Sequence, residues 1–153
     1  MAAEAAPVGL TGGCQCGAVR YRLAAAPTGA NVCHCRMCQK AGGAPFMAFG
    51  GVRLADLVWT RGAPKIFASS AIAERGFCAE CGTPLTWRGH GRDRIGLTIG
   101  SLDEPAAVAP IVQFSVETKL AWLDGVANLP SRPFGALTDP TKLCNRQHPD
   151  HET

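Results

Sequence analysis

Apolar and polar residues alternate in short runs along this chain, and glycine and proline separate the runs. In residues 18–23, Val19, Tyr21 and Leu23 alternate with Arg20 and Arg22, the period of a half-buried strand. Runs at 45–49, 57–60, 65–69, 72–77, 83–88, 94–99 and 111–117 predict further short strands. Gly51, Gly62-Ala63-Pro64, Ser69-Ser70 and Gly89-His90-Gly91 mark the breaks between them. Residues 12–17 read as a turn-rich opening, and residues 24–31, with Pro27 and Gly29, as a loop or a short edge strand. The helical share is small. One or two turns are expected over 36–41, ended by Gly42-Gly43, and a short helical piece after the turn at 100–105. Segments this brief favour a mainly β domain of short antiparallel strands over a helical bundle.

Composition sharpens this picture only in places. A chain of 153 residues suits one domain with a modest core. The patterned part spans 10–130, preceded by a flexible N-terminus at 1–9. Beyond residue 130 the chain becomes polar and proline-rich, so 131–153 read as a loosely held C-terminal tail. The net charge of +3 carries no run of Lys and Arg, so charge gives nucleic-acid binding no support. No apolar stretch is long enough to span a bilayer, and the first 13 residues lack the pattern of a secretory signal. A soluble, cytoplasmic protein is expected.

Cysteine changes the picture most. Of eight cysteines, three fall in the run Cys33-His34-Cys35-Arg36-Met37-Cys38. Two pairs flank them, Cys14-Gln15-Cys16 between glycines and Cys78-Ala79-Glu80-Cys81-Gly82. In a reducing compartment such clusters argue for metal or catalysis before disulfides, although the even count keeps a disulfide framework open. The plainer alternative is four reduced core cysteines, but those do not usually gather at glycine-flanked turns.

Cys14, Cys16, Cys78 and Cys81 supply the four thiolates of a closed, structural zinc site. Cys33, Cys35 and Cys38 supply three, leaving a position free for chemistry, and are the candidate catalytic group. Two Zn2+ per chain are expected. Three sulfur donors soften the ion, which favours activation of a thiol over activation of water.

Other residues carry two readings each. His34, adjacent to two ligands, is expected to face away as a hydrogen-bonded support for the loop. Arg36, Lys40 and Arg75 are candidates to offset the anionic sulfurs or to bind substrate carboxylates, or are ordinary surface charges. Trp59, Trp87 and Trp122 supply core area or line a cleft. Glu74 reads as an ion-pair partner before a base. Asp103 and Glu104 open a helical turn, where carboxylates suit the amide dipoles. Cys144 reads as a free thiol, and His148 and His151 as poor metal candidates in the tail.

Three blocks in this order resemble the glutathione-dependent formaldehyde-activating enzyme (GFA) family, which includes centromere protein V. They are residues 12–21, from Gly12-Gly13-Cys14 to Tyr21; residues 33–43, from Cys33-His34-Cys35 to Gly42-Gly43; and residues 74–85, with Cys78-Ala79-Glu80-Cys81-Gly82. Gly100-Ser101-Leu102-Asp103 and residues 119–122 are similar too, whereas Gln113 and Ser115 stand where many members carry a histidine and an aromatic residue.

The resemblance implies a β-tent or zinc-ribbon-like fold. It implies structural zinc on Cys14, Cys16, Cys78 and Cys81 and a more labile second zinc on Cys33, Cys35 and Cys38. It also implies a carbon–sulfur lyase, joining glutathione and formaldehyde reversibly as S-hydroxymethylglutathione. Two rival readings remain at this point. One is a non-catalytic zinc module for a protein or nucleic-acid partner; the other is a thiol-redox protein using Cys78 and Cys81.

Overall fold

The computed structural model describes residues 9–134, 139 and 141–153. All but Gly9 of the N-terminal segment expected at 1–9 lies outside them. The described residues form a mainly β fold of ten strands in two sheets with one short α-helix.

The smaller sheet joins β1 (Thr11–Gly13), β2 (Arg20–Leu23) and β5 (Leu57–Arg61) in that order. The larger takes in β3 (Thr28–Cys33), β4 (Met47–Arg53), β6 (Lys65–Ser70), β7 (Ala73–Phe77), β8 (Pro84–Gly89), β9 (Arg94–Thr98) and β10 (Val112–Phe114). Its order is β10-β3-β4-β9-β8-β7-β6. All pairs are antiparallel except β10 with β3, which run parallel, Gln113 opposite Val32.

Core and edges follow the period-two pattern. Val19, Tyr21 and Leu23 are buried, and with Val52, Leu85, Ile95 and Leu97 they form one cluster that draws on both sheets. Each such side chain, fully buried, contributes about 1.5–3 kcal/mol. Arg22 faces out as the alternation expects, but Arg20 is buried, only 2% exposed. Its guanidinium makes a two-pronged bond to Asp103, Nη1 to Oδ1 at 2.9 Å and Nη2 to Oδ2 at 2.6 Å. The carboxylate compensates burial that an unpaired arginine would not tolerate. Asp103 therefore belongs to this pair rather than to the dipole of a helical turn. Both edge strands of the larger sheet, β6 and β10, are largely exposed.

Several boundaries differ from the sequence reading. The opening at 12–17 contributes β1, whose two glycines leave no side-chain alternation to read. Within residues 24–31, expected to be a loop or a short edge strand, the strand β3 begins only at Thr28 and runs to Cys33, and it lies inside the larger sheet between β10 and β4. The run at 111–117 forms only the three residues of β10, because Ser115 adopts φ 56° and starts a 3-10 turn at Val116–Thr118. An eight-residue 3-10 segment at Ala121–Asn128 had no sequence expectation. Toward the C-terminus the chain returns to the body. The His148 amide donates to Gln15 O at 2.7 Å, and Arg61 Nη2 donates to Thr153 O at 2.9 Å.

Candidate functional site: two groups of thiols

The first group forms where two hairpin turns meet. Cys14 and Cys16 lie in the turn between β1 and β2, closed by Gly17 at φ 77°. Cys78 and Cys81 form the turn from β7 to β8, in which the Gly82 amide donates to Cys78 O at 2.9 Å. Gly82 itself sits at φ 78°, a left-handed conformation that β-carbon-bearing residues resist. Thr83 joins the turns: its hydroxyl lies 3.1 Å from Cys81 Sγ and accepts the Gln15 amide at 3.0 Å. The Val19 amide donates to Cys14 Sγ at 3.2 Å.

The four sulfurs lie within 4.8 Å of one another and could hold a metal ion. Sulfurs held tetrahedrally at about 2.3 Å from one ion would stand about 3.8 Å apart. The Cys14–Cys16 and Cys16–Cys78 separations are 3.6 and 3.8 Å. The donor set also fits a cation electrostatically. Burial raises the Cys81 thiol, but Thr83 and nearby amides outweigh it and hold it at about 6. The Ala18 amide lowers Cys16, yet burial and the other sulfurs push it up to about 12. Four crowded thiols cannot all ionise unless a cation takes up their charge.

The second group surrounds α1 (Arg36–Gly42). Cys33 ends β3. Cys35 is the helix N-cap, its sulfur accepting from the Cys38 amide at 3.4 Å, and Cys38 lies one turn inside. Gly43, at φ 58°, closes the other end, where its amide reaches Gln39 and Lys40 carbonyls. The three sulfurs also lie within 4.8 Å of one another and could hold a metal ion.

His34 anchors this loop from behind. It is buried, and its ring Nε2 lies 2.9 Å from Gln113 Oε1. Its amide donates to Phe114 O at 3.0 Å, and its carbonyl accepts from Gln39 Nε2 at 2.8 Å and Thr118 Oγ1 at 3.0 Å. It faces away from the sulfurs as expected. Gln39, which the sequence reading passed over, ties α1 to the 116–118 turn.

The surroundings of the groups differ. In the first, Cys14 and Cys78 are buried in the main core, Cys81 is half-buried and Cys16 exposed; in the second, Cys38 is buried and Cys33 and Cys35 are half-exposed, and all three line a cavity of about 550 Å³. Phe49, Trp87 and Phe114 give that cavity apolar walls, while Arg92 and Arg94 bring positive charge and Asp93 between them a negative one. These residues span four strands and one loop, so no local sequence pattern marks them.

Of the three candidate cations, Arg75 alone reaches the sulfurs: it is buried, with Nη2 3.3 Å from Cys38 Sγ. Arg36 instead donates to Gln39 Oε1 at 2.6 Å, and Lys40 is exposed on a separate cavity of about 480 Å³ beyond α1. Among the tryptophans, Trp59 packs edge-on against Tyr21, Trp87 lines the cavity and Trp122 is exposed. Glu74 pairs with Arg88 at 4.0 Å. All eight cysteines are unbridged, and Cys144 is an exposed free thiol. His148 lies near the first group without joining it.

A mainly β fold bearing one group of four thiols and one cavity-facing group of three defines a candidate metalloprotein. The family model for the glutathione-dependent formaldehyde-activating enzymes matches residues 9–118, and the chain belongs to that family. It is 35% identical over 74 residues to an uncharacterized lyase of Schizosaccharomyces pombe, a match over 48% of this chain and 53% of that protein. The chain thus spans about half the length of this curated relative. A crystal structure of a Rhodobacter sphaeroides protein shares the fold, with a TM-score of 0.53 at 22% identity, covering 67% of this chain and 98% of that one. Among the described residues, no helix is long and apolar enough to cross a membrane.

Proposed function

We propose that this protein is a zinc-dependent carbon–sulfur lyase of the GFA type, acting on the adduct of a small thiol such as S-hydroxymethylglutathione. The observation that carries this reading is the division of seven thiols into two groups: four converge where two hairpin turns meet, with Cys14 and Cys78 in the main core, while three stand on the wall of an open cavity. Cys14, Cys16, Cys78 and Cys81 would hold one zinc for folding, and Cys33, Cys35 and Cys38 a second for chemistry. When bound at the three cysteines, zinc supplies a cationic centre that keeps a thiol ionised at neutral pH. The family assignment and the lyase name of the yeast relative support the reaction class.

The chain's own residues fit an anionic thiol substrate. Arg92 and Arg94 line the cavity and suit the carboxylates of a peptide thiol such as glutathione. Phe49, Trp87 and Phe114 offer apolar surface beside the three sulfurs. In the forward direction the substrate thiolate gives its electron pair to the aldehyde carbon. The C–S bond forms, the C=O π bond opens onto oxygen, and that oxygen takes a proton; cleavage is the reverse. The seven clustered thiols require a reducing compartment, in keeping with a cytoplasmic location.

Exchange NMR of glutathione with formaldehyde tests the proposal. The zinc-loaded protein is expected to speed exchange between free and adduct signals beyond the protein-free rate, and Cys35→Ser to abolish the gain. No acceleration by the wild-type protein would instead favour a non-catalytic zinc module.

A further inference from the structure

Arg75 is 7% exposed and, among the described residues, has no carboxylate within ion-pairing distance. A buried guanidinium without a counter-charge costs several kcal/mol. Its neighbours on the flanking strands, Phe67 on β6 and Trp87 on β8, offer no anion. Its bonds go to sulfur and hydroxyl instead. Nε donates to Ser69 Oγ at 3.1 Å, Nη1 points at Met47 Sδ at 3.7 Å, and Nη2 donates to Cys38 Sγ at 3.3 Å. Of these partners only the cysteine can carry negative charge.

We propose that Arg75 is the counter-ion and positioning residue of the three-cysteine group, an inference that rests on that group holding a dication. Three thiolates and a dication leave one negative charge, and one guanidinium cancels it. The planar fork also fixes direction. Ser69 holds Nε, so Nη2 meets Cys38 Sγ from the β7 side while α1 presents that sulfur from the other. Arg75 thus aims Cys38 toward Cys33 and Cys35 and places a positive charge beside that sulfur without becoming a ligand. Lysine would supply the charge without the fork.

Full-length wild type, Arg75→Lys, Arg75→Met and Ser69→Ala are loaded with zinc and titrated with a colorimetric chelator, with thermal melts in parallel. The wild-type chain is expected to release two ions in separate steps. Arg75→Met should weaken the more easily released ion by about 10- to 100-fold, the usual effect of losing a partner of a metal ligand. The tighter ion should be unchanged. Arg75→Lys should recover part of the loss, and Ser69→Ala, which frees the fork, should show a smaller loss.

Cobalt(II) at the weaker site gives a second readout. Its sulfur-to-metal absorption should shift in Arg75→Met and return toward the wild-type position in Arg75→Lys. If Arg75→Met does not fold, Ser69→Ala and Arg75→Lys decide, and wild-type affinity and spectrum in both would overturn the assignment. Wild-type affinity in a folded Arg75→Met would overturn it alone. A wild-type chain that takes up a single ion would overturn the reading of the three cysteines and this assignment with it.

Discussion

Replacing Cys81 and replacing Cys35 should have opposite consequences. Cys81 belongs to the set that ties the β1–β2 turn to the β7–β8 turn, positions 62 residues apart at Cys16 and Cys78. Zinc held by such a set adds about 10–16 kcal/mol that doubles as folding free energy. A whole domain of this size has a net stability of only about 5–15 kcal/mol. Removing one of the four sulfurs, together with the Thr83 contact that steadies it, therefore removes enough to unfold the chain. Cys35 stands on the cavity wall, and its local duty is to cap α1 by accepting the Cys38 amide. Serine is itself a preferred N-cap, so Cys35→Ser leaves the helix intact.

The assay is elemental analysis after dialysis, paired with thermal melts followed by circular dichroism. Cys35→Ser should contain one zinc fewer than wild type and melt within about 4 °C of it. Cys81→Ser should show no cooperative transition. Equal collapse of both variants, or a wild-type melt for Cys81→Ser, would refute the division between a folding site and a reaction site.

Two further outcomes follow from packing and charge. Asp103→Asn removes the nearer carboxylate from the buried Arg20 and leaves it only Glu152, 3.6 Å from Nη2, so it should cost about 1.5–3 kcal/mol in urea denaturation; a loss below about 1 kcal/mol would contradict the pairing. Burial raises the Asp103 carboxyl, but Arg20 and Thr11 outweigh it and hold it below its usual range. Its contribution is therefore complete above about pH 3.9 and is lost as pH falls through the lower folded value, so wild type should lose stability more steeply than Asp103→Asn in acid. A β-carbon at Gly12 would overlap the Ser101 carbonyl and the Tyr21 hydroxyl, whereas one at Gly100 meets nothing within 4 Å. Gly12→Ala should accordingly cost about 1–3 kcal/mol by the same denaturation assay, with Gly100→Ala near neutral.

What could be read in the sequence was whatever is local. Tyr21 and Leu23 alternate with Arg22 because one face of β2 meets the core, and Cys78 to Gly82 form a turn whose glycine and cysteine spacing belongs to five adjacent residues. Strand limits were legible within a few positions for the same reason. The misses are long-range. Arg20 reads as outward until Asp103, 83 residues away, is placed beneath it. The role of Gln39 in tying α1 to the 116–118 turn depends on the Thr118 carbonyl, 79 residues away, although its bonds to Arg36 and His34 are local. The walls of the cavity come from β3, β4, β7, β8, β9 and β10 together with α1, and side chains drawn from so many elements leave no linear trace. β1 was hidden for another reason: a strand of one threonine and two glycines shows neither alternation nor apolar weight.

Strand β7 carries Arg75 to one thiol group and delivers Cys78 to the other, with only Gly76 and Phe77 between them. Side chains on a strand change face with every residue. A single-residue insertion or deletion there would turn the guanidinium away from Cys38 and drag Cys78 off its corner in the same stroke. The reading frame of these few residues is thus shared property of both centres, and length changes should be far better tolerated in the Gly89–Arg92 bend than here.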